Sequence, residues 1–321
     1  MREAAFIKQN HSKWEDFEKI LSQKSPDPDK LAELFIQITD DLAFSQTQYP
    51  KSKTTLYLNS LASQVHQNVY KTKKEEKSRF VRFWMEELPL VTKDCHKPML
   101  YSLIIFSTAM LIGALSAAND DTFIRLILGD HYVNMTLENI SNDDPMAVYK
   151  LIDESSMFLG ITLNNIRVSF LAFVLGVFAP LGTPLLLFHN GIMLGAFQYF
   201  FYQKGLFLTS FLTIWIHGTL EISAIVIAGG AGLVISNSIL FPGSYTRLES
   251  FKRGTKNGMK LVVGLVPVFI TAGLLESFVT RHTELSIFIK TGIILLSAIF
   301  IIYYFIIYPY IVINRVGKKR N

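Results

Sequence analysis

The sequence predicts an all-α, polytopic helical membrane protein preceded by a small soluble helical bundle. Three observations predict it. Half of the 321 residues are hydrophobic and only 18% are charged, a balance too apolar for an ordinary soluble protein. The charge is uneven: residues 1–97 hold 16 Lys/Arg and 14 Asp/Glu, more than half of the total. Beyond them come about six apolar segments, each separated from the next by a short connection or a Pro/Gly interruption. Residues 1–97 therefore read as a cytosolic helical domain with an interfacial end, and 98–321 as a transmembrane domain.

In the first part, Trp14, Phe17, Ile20 and Leu21 share one helix face, the spacing of an amphipathic helix. The run Ser25-Pro26-Asp27-Pro28 breaks that helix, and Asp29 opens the next. Leu31, Leu34, Phe35, Ile38 and Leu42 form a second stripe ending before Pro50. A third, with Leu58, Leu61, Val65 and Val69, runs on through Lys71–Lys77 to Phe80, Phe83 and Trp84. The basic run Lys71, Lys73, Lys74, Lys77, Arg79 and Arg82 is a solvated face or a contact for anionic headgroups. An antiparallel bundle is the expected packing.

Met99–Ala118 is the first span. The loop 119–165 carries eight acids against Arg125 and Lys150, with two short interfacial helices expected at Phe123–Leu128 and Met146–Leu159. Val168–Phe188 is interrupted by Pro180, Gly182 and Pro184. Ile192–Tyr202 is short for a crossing, and Phe207–Phe241 is long for one straight helix. That sequence of segments predicts broken or re-entrant helices around a protein-lined cavity. Leu261–Thr280 and Leu285–Ile313 complete the set. Basic flanks at Arg247–Lys260 and Arg315–Arg320 put both termini in the cytoplasm and the acidic loop outside. Four crossings with a re-entrant hairpin is the rival count.

Several function classes fall away. Met1–Trp14 is charged and has no apolar core, so no secretory signal is expected. A single cysteine, Cys95, allows no intrachain disulfide and reads as an interfacial residue. The net charge of +5 comes from membrane flanks and calls for no nucleic acid. No nucleophile elbow, phosphate loop, kinase signature or zincin motif occurs, so no enzyme, cofactor or metal is assigned.

The chemistry concentrates in Trp215-Ile-His217-Gly218-Thr-Leu-Glu221. Glu221 is the lone acid between Phe207 and Phe241, where there is no Lys or Arg. An ionisable pair at membrane depth must face protein or water and marks a functional site. Spacing i,i+4 puts His217 and Glu221 on one face, close enough to hydrogen-bond, and Gly218 leaves room for another backbone. Three readings stay open: an interhelical lock, which is favoured, proton or substrate coupling, and metal binding. Asn164 and Asn165 are candidates to cap the helix beginning at Val168, or to touch a ligand, and Asn190 accompanies them as a candidate cavity-lining residue. Gly191 and Gly195 form G-x-x-x-G, and Gly229 and Gly232 lie in a small-residue patch, patterns that fit internal packing as well as a homo-oligomer. Glu276, with Arg281 and His282, reads as a solvated outer boundary.

The elements Asn164-Asn165-x-x-Val168, Gly182-x-Pro-Leu-x-Leu, Asn190-Gly191-x-x-x-Gly195, His217-Gly218-x-x-Glu221 and Ala228-Gly-x-Ala-Gly232, in that order, resemble the stage II sporulation protein M family of bacterial integral membrane proteins. Asp41-Leu42-Ala43 and Tyr57-Leu58-Asn59-x-Leu61 resemble its longer, non-sporulation branch, in which a helical cytosolic domain comes first. The resemblance implies a multi-pass bacterial plasma-membrane protein. It also implies a scaffold that recruits envelope-associated proteins, as the sporulation members do for peptidoglycan-cleaving partners. The expectation is a non-enzymatic scaffold whose partners are the bilayer and membrane or envelope proteins. The alternative is a transporter or lipid-handling protein with a proton-coupled cavity around Glu221.

Overall fold

The structure, a computed structural model, describes residues 1–21, 28–70, 78–150, 153–178 and 180–318. The break at Ser25-Pro26-Asp27, the basic run Lys71–Lys77 and the tail charges Lys319 and Arg320 lie outside the described residues, as do the side chains of Val65 and Val69. The described chain is helical throughout and forms two compact units, Met1–Phe80 and Val81–Asn321.

In the first unit, α1 (Glu3–Leu21), α2 (Pro28–Gln48) and α3 (Lys53–Tyr70) surround one core. Phe6, Trp14, Phe17, Ile20, Ile38, Leu58 and Leu61 form that core, with Leu21, Leu31, Leu34, Phe35 and Leu42 packed against it. The apolar stripes of the three helices thus converge as amphipathic periodicity requires. Polar ties fix the register at the edge of the core: Trp14 Nε1 donates to Asp41 at 2.8 Å, Lys13 pairs with the same carboxylate at 2.5 Å, and Thr54 donates to Glu3 at 2.7 Å.

The second unit begins earlier than the expected boundary at residue 97. After α4 (Ser78–Arg82) comes a π turn, Phe83–Glu87, and α5 (Leu88–Asp94). This stretch is tied to the end of the chain. Tyr304 Oη donates to the Trp84 carbonyl at 2.7 Å and Tyr308 Oη to that of Met85 at 3.1 Å. Lys260 pairs with Glu87 at 2.7 Å, and Leu88 is fully buried against Gly264. Cys95, expected at an interface, is likewise in the core.

Among the described residues, five helical stretches are long and apolar enough to cross a membrane: His96–Asn119, Glu154–Val177, Phe207–Leu240, Arg247–Thr280 and Ile287–Val316. They contain α6 (His96–Asn119), α9 (Glu154–Val174), α11 (Phe207–Leu240), α12 (Arg247–Leu274), α13 (Ile287–Ile302) and α14 (Tyr308–Lys318). Their outer faces carry exposed Leu103, Ile104, Leu111, Leu295, Leu296 and Ile299, apolar surface that belongs in lipid rather than water. α10 (Gly182–Gln203) is as long but more polar, with Thr183, His189, Asn190 and Gln198.

The breaks fall elsewhere than the segments suggested. α9 starts at Glu154, capped by Asp153, whose side chain accepts from Ser156 N–H. It ends in a 3₁₀ turn, Leu175–Val177, before Pro180. Pro184 sits in the first turn of α10, where its missing N–H leaves no bond unmade, so the short segment Ile192–Tyr202 is the second half of a 22-residue helix. Gly191 meets Phe106 and Ala109, and Gly195 meets Met110 and Ala114, so α10 runs alongside α6. α11 is one unbroken helix of 34 residues, about 51 Å long at 1.5 Å per residue. It is the centre of the bundle, packed on α6, α9, α10, α12 and α13.

The acidic loop is folded. α7 (Asp121–Leu128) and α8 (Asp130–Ser141) are followed by a 3₁₀ turn, Ala147–Lys150. Ile124, Val133 and Met146 form a core with Ala117, Ala196, Phe200 and Phe201 of α6 and α10. The sequence anticipated α7 but not α8, and the second expected helix, Met146–Leu159, is divided between the 3₁₀ turn and the start of α9.

Substituting Asp41→Ala leaves the Trp14 N–H without its partner. We expect a loss of about 1–3 kcal/mol in denaturant unfolding of the first unit, read from tryptophan fluorescence of a fragment of residues 1–80, in which Trp14 is the sole tryptophan.

Candidate functional site

α11 carries His217 and Glu221 about 15 and 21 Å along its axis from Phe207. His217 is 4% exposed. The pair does not bond to itself, contrary to the expectation from spacing; each side chain is met by a different helix. Asn165 of α9 hydrogen-bonds Glu221 through its side chain. His217 Nδ1 lies 3.0 Å from Thr280 Oγ1, and His217 Nε2 lies 3.7 Å from Glu276 Oε1. The ligating atoms of His217, Glu221 and Glu276 all fall within 4.8 Å of one another.

Glu276 is the residue that sequence reading misplaced. Its side chain is 13% exposed, in the interior rather than at a solvated boundary. The cause is local: α12 passes into a π turn, Leu275–Thr280. The wider turn rotates its residues relative to a continued α-helix, and it brings both Glu276 and Thr280 to the α11 face. Thr280 Oγ1 donates to the carbonyl five residues back, Leu275, at 3.2 Å. Arg281, just past the turn, pairs with Glu154 at 3.0 Å.

The cap completes the enclosure. The Tyr149 ring stands edge-on to the His217 ring, centroids 5.9 Å apart. Burial, then the nearby carboxylate of Glu276, holds its phenol well above the ordinary range, so it stays neutral. A cavity of about 370 Å³, lined by Tyr132, Tyr149, Met157 and Gly160 among others, reaches Glu276.

The other candidates divide between packing and surface. Asn164 is exposed, and with α9 starting at Glu154 neither Asn164 nor Asn165 is a helix cap. Asn190 donates to the Leu186 carbonyl of its own helix at 2.9 Å and is no part of the cluster. A Cβ on Gly191 would lie 2.6 Å from the Phe106 carbonyl oxygen, and one on Gly195 would run into that of Met110. Gly229 lies against Ser102 and Leu187, and Gly232 against Ala172 and Thr183. All four glycines face neighbouring helices of the same chain. Gly218 differs. A Cβ there meets only Ile222 and Ile214 of its own helix, at 3.6 and 3.8 Å, so no second backbone approaches it.

The family model described as Stage II sporulation protein M matches residues 102–281, and one described as a domain of unknown function matches residues 4–71. The chain belongs to the stage II sporulation protein M family. The family region runs from α6 through the π turn, and so contains His217, Glu221, Asn165 and Glu276 together. No curated protein and no solved structure matches the chain. With its apolar helices, family membership makes this a membrane protein.

The two kinds of glycine give opposite expectations. Gly195→Ala should lower the thermal stability of the detergent-solubilised chain by the equivalent of about 1–3 kcal/mol of overpacking. Gly218→Ala should be neutral or stabilise by up to about 1 kcal/mol, the helix-propensity gain.

Proposed function

We propose that the protein is an integral scaffold of the bacterial plasma membrane, with both termini cytoplasmic, that gathers membrane or envelope-associated partners. The observation that carries this reading is the folded acidic cap. Asp120, Asp121, Glu138 and Asp143 are exposed on helices and turns that have their own core against α6 and α10. A fixed array of carboxylates is a recognition surface, whereas a flexible acidic tether need not fold. The N-terminal bundle is a second folded part outside the membrane domain. The small-residue patterns, one alternative basis for a homo-oligomer, are consumed by internal helix contacts.

The orientation rests on charge. With α10 crossing as well as the five long apolar stretches, the Arg247–Lys260 flank and the tail fall on the N-terminal side, which the positive-inside rule would make cytoplasmic. A transporter or lipid-handling role coupled to Glu221 has one observation in its favour, the cavity that opens onto Glu276. Under that role Glu221→Gln abolishes flux and leaves partner recovery intact.

Two experiments test the scaffold reading. In a Cys95→Ser background, Asp143→Cys should react with a membrane-impermeant maleimide in intact cells, and Asn321→Cys only after lysis; the reverse pattern overturns the orientation. Neutralising Asp120, Asp121, Glu138 and Asp143 to Asn or Gln should leave membrane insertion unchanged while removing the proteins that cross-link to the wild type. An unchanged cross-linked set overturns the cap as the docking surface.

A further inference from the structure

Three groups able to ligate a cation, His217, Glu221 and Glu276, converge in the bundle with their ligating atoms within 4.8 Å of one another. Thr280 Oγ1 lies 3.2 Å from the Leu275 carbonyl and 3.0 Å from His217 Nδ1. With its proton on that carbonyl it accepts from Nδ1–H, the tautomer in which Nε2 is a free lone pair on a residue only 4% exposed. It points at a carboxylate oxygen of Glu276 across 3.7 Å, and an oxygen of Glu221 completes the set. The adjacent Arg281 bonds Glu154 at 3.0 Å. Acceptors that face one another at this depth need a cation between them.

We propose that His217, Glu221 and Glu276 form a binding site for a first-row divalent cation, Zn²⁺ by donor chemistry. One imidazole nitrogen and two carboxylates suit zinc, and three protein ligands leave one position for water. Metal–ligand bonds of about 2.0–2.2 Å place neighbouring tetrahedral ligands roughly 3.4 Å apart. The His217–Glu276 separation is within a few tenths of that spacing, and Glu221 needs a small rotamer shift. The surrounding shell is that of a metal site. Thr280 fixes the His217 tautomer with Nε2 free, and Asn165 orients Glu221. The cavity at Tyr149 and Glu276 supplies an entry path. A 2+ ion also neutralises both carboxylates at once, which a His/Glu pair alone does not explain. The competing occupant is a proton shared between the two acids.

The test uses the full chain in detergent, stripped with a chelator, incubated with Zn²⁺, desalted and assayed for metal by mass spectrometry. About one Zn²⁺ per chain is expected, together with a rise in melting temperature on zinc addition. Co²⁺ in place of zinc should give visible absorption bands displaced from those of the aquo ion. Glu221→Gln and Glu276→Gln keep side-chain shape and should each weaken zinc binding at least about tenfold, His217→Ala should abolish it, and Thr280→Ala, a positioning change, should cost about 10–100-fold. Glu154→Gln, which breaks the neighbouring ion pair with Arg281, should leave zinc uptake unchanged. Uptake by the wild type no greater than by the Glu221→Gln/Glu276→Gln double variant overturns the proposal and leaves the shared proton. Should the double variant fail to fold, the wild-type cobalt spectrum decides: bands identical to aquo Co²⁺ overturn it as well. Cross-linking to partners is read separately, so the site and the scaffold stand or fall apart.

Discussion

The membrane unit is organised around the burial of α11. A 34-residue helix packed against five others has little water to satisfy its polar groups, so they turn to neighbouring helices or to carbonyls of their own helix. The neighbours come close because glycines let them. Gly230 meets Met99 of α6, Gly232 meets Ala172 of α9, and Gly254 of α12 sits against Ser238. At these approaches hydroxyls bond backbone carbonyls across helices: Ser102 to Val226 at 2.6 Å, Ser236 to Gly176 at 2.9 Å and Ser250 to Ser238 at 2.8 Å. Between lipid-like surfaces apolar contact alone does not drive helices together, so close packing and such bonds carry the association.

The same enclosure governs the ionisable groups. A lone carboxylate at membrane depth costs about 2.5–3.5 kcal/mol on insertion scales. Asn165 reaches Glu221 from α9, while Glu276 and Thr280 reach His217 from the end of α12 because the π turn sets their phase. A π turn gives up regular hydrogen-bond geometry, and such turns gather at functional sites. A lock between helices would need one donor for each acceptor. Here Asn165 meets Glu221 and Thr280 meets His217, with the Glu276 carboxylate beside the ring.

How much of this was legible depends on contrast. In the first unit water outside and core inside separate the residues along each helix, and Trp14, Phe17, Ile38, Leu58 and Leu61 were readable from spacing alone. In the membrane unit both faces are apolar, so periodicity fades and only breakers mark the ends. Of the three interruptions read there, Pro180, Gly182 and Pro184, the break falls at Pro180, while Pro184 is harmless in the first turn of α10. His217 and Glu221 stood out because they are ionisable in an uncharged run. Glu276 did not, because its neighbours Arg281 and His282 suggested solvent and nothing in sequence announces a π turn.

The cap ties the two halves of the functional argument together. Tyr149 stands over His217 and also lines the cavities on both sides of it. Its position is set by the 3₁₀ turn Ala147–Lys150, which is anchored by the buried Met146 and by the Lys150–Asp144 ion pair at 2.7 Å. The acidic surface and the buried cluster are therefore separated by one short turn, not by a flexible loop. Met146 packs with Ile124 of α7 and Val133 of α8, so the core of the cap runs into the turn that carries the ring over His217. Coupling between surface and cluster would need a common element whose position both bias, and the turn at Tyr149 is the element that touches both.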